Sequence, residues 1–112
     1  MELLVCIVKN HRHAEDILTG FLELGVRGAT VIDGRGMGQI VASDIPIFAG
    51  FKSLFPVGGG ATYMVLSVME AALTDRAIGV IDEVCGSLEK PGAGIAFTIP
   101  VSRVVGLAQE IR

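Results

Sequence analysis

Leu3-Leu4-Val5-Cys6-Ile7-Val8 is apolar at six consecutive positions, with branched side chains at five of them. A run of this length and type suits a strand rather than a helix. It has a counterpart later in the chain, Tyr63-Met64-Val65-Leu66-Ser67-Val68-Met69, where only Ser67 breaks the pattern. Successive side chains of a strand point to opposite faces, so a strand with one wet face alternates apolar and polar residues. Neither stretch alternates. Both therefore read as strands that need cover on two sides.

Between and around these strands the pattern changes period. Asn10 is a candidate cap for a helix whose apolar stripe is Ala14, Ile17, Leu18, Phe21 and Leu22, ending at Gly25. Gly28-Ala29-Thr30-Val31-Ile32-Asp33 reads as a second strand, interrupted or ended by Gly34, Gly36 and Gly38. A second helix is expected from a cap at Thr74 through Ala77, Ile81, Val84 and Leu88, followed by a fourth strand, Gly94-Ile95-Ala96-Phe97-Thr98-Ile99. Residues 39–60 carry Pro46, Pro56 and Gly58-Gly59-Gly60 and read as a long loop, of the length that tends to be functional when present in a compact domain.

The order βαββαβ predicts an α+β fold of the ferredoxin-like, split-βαβ sandwich type: one domain over residues 1–112, an antiparallel sheet, and both helices on one face. Two helices cover one face only, so the other face is expected to pack against further copies of the chain in a closed homo-oligomer. Composition agrees. The 112 residues are 51% hydrophobic and 19% charged, with a mean hydropathy of +0.62. That is too apolar for a disordered segment and more than a small monomer hides easily.

The same numbers exclude several functions. Net charge is −3 and the nine Lys and Arg are scattered, which leaves no footprint for nucleic acid. The longest apolar run is far short of a membrane span and no cleavable signal precedes it, so the chain reads as soluble and cytoplasmic. Cys6 and Cys85 lack metal-type spacing and read as packing residues. His11 and His13 have no third ligand of suitable type near them, so no metal site is expected. Asp33, Asp44 and Glu89 offer carboxylates and Ser43, Ser53 and Cys85 offer nucleophiles, but no motif pairs a base with a nucleophile. No catalytic residue is assigned. Gly34-x-Gly36-x-Gly38 follows the second strand rather than the first and has Gln39 next, so it is not a dinucleotide fingerprint, and no phosphate-loop Gly-Lys-Ser/Thr occurs.

In the expected topology three connections share one end: residues 9–13, the loop that begins near Gly34, and the turn Glu89-Lys90-Pro91-Gly92-Ala93-Gly94. Glycine lets main chain approach a ligand and aim N–H groups at anionic oxygens, so this is where a ligand is expected. Gly28-Ala29-Thr30-Val31 leading into Gly36-Met37-Gly38, and the closing Lys90-Pro91-Gly92-Ala93-Gly94-Ile95-Ala96-Phe97, resemble in order and spacing the signalling proteins of the P-II-like superfamily over nearly the whole chain.

The resemblance implies a homotrimer that senses an adenine-type nucleotide in the cleft between subunits and signals by moving the loop of residues 39–60. Carried over residue by residue, Thr30, Arg35, Gly36, Met37 and Gly38 line the pocket, and Lys90, Gly92 and Gly94 form the phosphate-holding turn. Members of that family carry further basic residues where this chain has Ile95 and Val105-Gly106-Leu107, which favours a less charged effector such as AMP, ADP or a cyclic nucleotide over ATP. Residue 40 is Ile where those members place a Gln used for magnesium and 2-oxoglutarate, so 2-oxoglutarate sensing is not assigned and no obligatory cofactor is expected. Ile47, Phe48, Phe51, Leu54 and Phe55 make the loop unusually apolar. They either dock onto a partner, such as a membrane transporter or other regulated protein, or pack back and seal the cleft. Two alternatives stand beside the sensor: an interaction trimer that has lost its nucleotide, and a weak nucleotide hydrolase using Lys90 and Arg35 as electrostatic stabilisers.

Overall fold

A computed structural model describes residues 1–41 and 61–107. Four strands, β1 (Glu2–Val8), β2 (Thr30–Arg35), β3 (Ala61–Met69) and β4 (Ile95–Pro100), form one sheet in the order β2-β3-β1-β4, with every neighbouring pair antiparallel. Helices α1 (His11–Glu23) and α3 (Ala71–Cys85) pack on one face, and α2 (Met37–Gln39) is a single turn after β2. The fold is α+β, and its strand order is compatible with the ferredoxin-like plan. The two apolar stretches that do not alternate are the central strands β1 and β3. Among the described residues no helix is long and apolar enough to cross a membrane.

The helix face of the sheet makes the core. Leu4, Cys6 and Val8 of β1 and Val65 and Met69 of β3 meet Ala14, Ile17 and Phe21 of α1 and Ala77 and Ile81 of α3. Asn10 caps α1 as expected, its side chain accepting from the N–H of Arg12 at 2.7 Å. The helices approach closely where Gly20 of α1 faces Val80 of α3, a contact with no room for a methyl group. Ser67, buried on this face, donates at 2.6 Å to the carbonyl of Gly28 and ties the segment before β2 to the sheet.

The second helix differs from expectation. It starts at Ala71 with Glu70 in the cap position, and Thr74 lies one turn inside, buried, its hydroxyl donating to the carbonyl of Ala71 at 2.8 Å. Threonine can satisfy its hydroxyl on a preceding helical carbonyl as well as at a cap, so residue type alone does not locate the start. The helix closes at Gly86 in the left-handed conformation, which leaves Leu88 in the following turn. Gly34 lies within β2 rather than ending it.

The other face of the sheet is the most unusual feature. The register places residues there in rows: Ile99, Leu3 and Val68; Phe97, Val5, Leu66 and Thr30; Ile95, Ile7, Met64 and Ile32; then Thr62 and Gly34. No charged residue is among them. Ile95, Phe97 and Ile99 on β4 are 54%, 41% and 45% exposed, and Ile32 on β2 is 46% exposed. The expectation of strands apolar on two sides thus holds in three dimensions.

Cys6 and Cys85 are free thiols packed into or against the core. Burial, with a smaller contribution from Cys85, pushes the Cys6 thiol up to about 12, and burial followed by Asp82 raises Cys85. An unfolded chain loses the Cys6 proton near pH 8.5, so the fold gains full benefit from the neutral thiol below that pH and loses it as pH rises toward 12. Between pH 7 and pH 10 the wild-type chain should lose about 1–2 kcal/mol more stability than a Cys6→Ala variant, measured by urea unfolding.

Candidate functional site

The register settles which ends meet. Val8 at the end of β1 pairs with Tyr63 near the start of β3, Ile7 pairs with Ile95 at the start of β4, and Arg35 at the end of β2 pairs with Ala61. The β1–α1 connection, the root of the long loop and the turn before β4 therefore share one end of the sheet. His11, the first residue of α1, stands edge-on to Tyr63 with ring centroids 5.3 Å apart, and its Nδ1 lies 3.6 Å from Glu15.

Two glycine segments arrive at this end from opposite edges. On the β2 side Gly34 and Gly36 lie against Thr62, and Gly36 opens the turn Met37–Gln39, which the N–H of Ile40 closes by donating to the Gly36 carbonyl at 3.0 Å. Met37 is 73% exposed. On the β4 side Gly94 has φ +146° and a Cβ there would stand 2.9 Å from the carbonyl oxygen of Ile7. Only glycine lets the turn lie this close on β1. The connection begins with Gly86 and Ser87, both at positive φ, and is pinned by the Leu88 N–H donating to Asp82 Oδ1 at 2.7 Å.

Arg35, Gly36, Met37 and Gly38 are thus contiguous at the end of β2, and Lys90, Gly92 and Gly94 lie at the same end of the sheet beyond β4. The two groups sit on opposite edges, three strand spacings or about 14 Å apart. Thr30 is elsewhere. It begins β2, about 17 Å along the strand from Arg35, and borders an open hollow with Leu3, Leu66 and Leu107. A ligand touching all of these residues would have to run along the open face or draw on a second copy. Ile47, Phe48, Phe51, Leu54 and Phe55 lie outside the described residues.

One of the two cations of the candidate set is already engaged. Arg35 has an interaction within the fold. Lys90 is exposed, with its Nζ near Gly86 at the C-terminus of α3. Two features escaped the sequence reading. Gln39, read as the start of the loop and as the residue that breaks the dinucleotide pattern, has a buried Oε1 without a hydrogen-bond partner. The opposite end of the sheet holds a largely apolar hollow of about 120 Å³ walled by Gly25, Val26, Val68, Met69, Leu73 and Leu107. Periodicity marks Val68 and Leu73 only as core positions, and Leu107 reaches them through the fold.

Compared with known proteins, the chain matches no protein-family model and no curated protein.

The close seating of the turn on β1 is testable. Gly94→Ala should cost about 2–3 kcal/mol in urea unfolding, through overpacking and the left-handed φ. Gly28→Ala, where the added methyl meets open space, should change stability by less than about 0.5 kcal/mol.

Proposed function

We propose that the chain is a non-enzymatic, small-molecule-sensing regulator of the P-II-like type. Three copies assemble through their open sheet faces. An adenine-type nucleotide binds at the end where the glycine segments converge, and residues 39–60 convey its presence to a partner protein, a transporter or another regulated protein. The observation that carries this reading is that the root of the long loop and the glycine turn before β4 reach the same end of one uncharged, apolar sheet face. A ligand there touches the loop at its base. It biases the loop by as much as it binds one loop state better than another.

The separation of the two glycine segments fits a site completed between copies. So does the position of Thr30 at the far end of β2, where it can serve a neighbouring copy rather than its own. A second reading, an assembly module without a nucleotide, is favoured by Arg35, which already has an interaction within the fold.

Calorimetry with adenosine, AMP, ADP, ATP and a cyclic nucleotide separates the two. The sensor reading expects saturable binding of at least one adenine ligand, and expects Lys90→Ala to weaken phosphate-bearing ligands several-fold more than adenosine. Absence of heat with every ligand at millimolar concentration would leave the module reading in place.

A further inference from the structure

Among the described residues the sheet ends at β2 on one side and at β4 on the other, and the register shows which main-chain groups each edge turns outward. In an antiparallel ladder, opposed residues alternate between pairs that exchange both hydrogen bonds and pairs that exchange none. Pro100 stands opposite Glu2 without an N–H to give, and the Val101 N–H donates to the Met1 carbonyl at 3.1 Å. Ile95, Phe97 and Ile99 therefore bond to β1, while Ala96 and Thr98 turn their N–H and C=O groups away from it. Carried across β1 and β3, the same alternation ties Thr30, Ile32 and Gly34 to β3 and turns Val31 and Asp33 outward on the other edge.

The two edges suit each other. Three antiparallel steps separate β2 from β4, so they run in opposite directions. A second copy rotated about an axis along the strands can lay its β4 against β2 as one more antiparallel strand. We propose that β4 of one copy pairs with β2 of the next, Thr98 opposite Val31 and Ala96 opposite Asp33, so that copies join head to tail through their sheet edges. Alternation allows only registers two residues apart. This one sets residues 95–99 against residues 30–34 and leaves Pro100 beyond the start of β2. One step further would put Pro100 against Val31, whose carbonyl would lose its donor, and one step back would leave only three residues of each strand in register. On the open face the pairing lays Phe97 on Ile32, an aromatic residue against a β-branched one, and both are exposed in a single chain.

The inference deepens the assembly proposed above and rests on it. It supplies what a single chain lacks at the candidate site. Gly94 comes opposite Arg35 of the next copy, so the turn before β4 adjoins the neighbour's loop root, whereas within one chain the two are about 14 Å apart. Two-fold pairing of β4 with itself would use the same outward groups. It would leave the glycine segments apart and set two uncharged faces side by side on one wide sheet, still open to water.

Cysteine cross-linking of the full chain tests the pairing. Phe97 and the neighbour's Ile32 form a pair without main-chain bonds, with Cα atoms about 4.5 Å apart, a span that a disulfide bridges. Ile32→Cys and Phe97→Cys chains, unfolded together in urea, refolded and treated with diamide, should give a species of two chains on a non-reducing gel. Neither variant alone should give more of it than the wild type, whose own Cys6 and Cys85 set the background. In the wild-type protein the Thr98 and Val31 amides should exchange with solvent at least about a hundredfold more slowly than unprotected amides.

Cross-linking of Phe97→Cys alone would overturn the inference by showing that β4 pairs with itself. A mass of three chains with no mixed cross-link would also overturn it while leaving the assembly through open faces intact. Slowed Thr98 and Val31 amides without the mixed cross-link would mean that another segment covers the edges, and would overturn it as well. A mass of one chain would overturn the assembly and this pairing together.

Discussion

One face of the sheet has its helices, and the other has no charged residue and only the hydroxyls of Thr30 and Thr62 to offer water. That imbalance governs the molecule. Charges sit on the outer sides of α1 and α3, on the connections and at the strand ends, while the rows from Ile99 to Val68 and from Ile95 to Ile32 carry none. Covering the exposed halves of Ile32, Ile95, Phe97 and Ile99 is worth about 1 kcal/mol each. Association costs about 4–15 kcal/mol in lost freedom, so contact over these four alone is not enough; Val5 is already buried within one chain, and the half-buried Leu3, Ile7, Met64, Leu66 and Val68 are what remains to be covered. A closed assembly in which every copy contributes its whole face meets that demand. Among the described residues β2 and β4 are the edge strands of the sheet, and β4 has no charged residue to discourage edge pairing.

The architecture was legible because it is written in periodicities. Leu3 to Val8 without alternation, and Ala14, Ile17 and Phe21 at helical spacing, are direct traces of which faces are covered, and they gave the four strands, the two long helices and, through the handedness of crossovers, an antiparallel sheet with both helices on one face. Boundaries were less legible. Thr74 looks like a cap because threonine often is one, but whether its hydroxyl serves a cap or a preceding carbonyl depends on where the chain enters the helix. Gly34 looks like a strand terminator, yet it sits in β2 beside Thr62 on a partner strand nearly thirty residues away.

The candidate site was legible in outline only. Topology brings the loop root and the glycine turn to one end, and glycine marks both. What each polar side chain does there depends on distances that spacing cannot express. Arg35 looks like a phosphate ligand at the end of β2 but has an interaction within the fold, and Gln39, read as the start of the loop, has a buried oxygen without a hydrogen-bond partner.

All of this depends on the open face being covered by other copies. Sedimentation equilibrium of the full chain over a hundredfold dilution, at physiological salt, measures that directly. The account predicts a constant mass three times the 11.7 kDa of one chain. A constant mass of one chain would contradict it, because the uncharged rows of the sheet would then stand in water and no crevice between copies would exist.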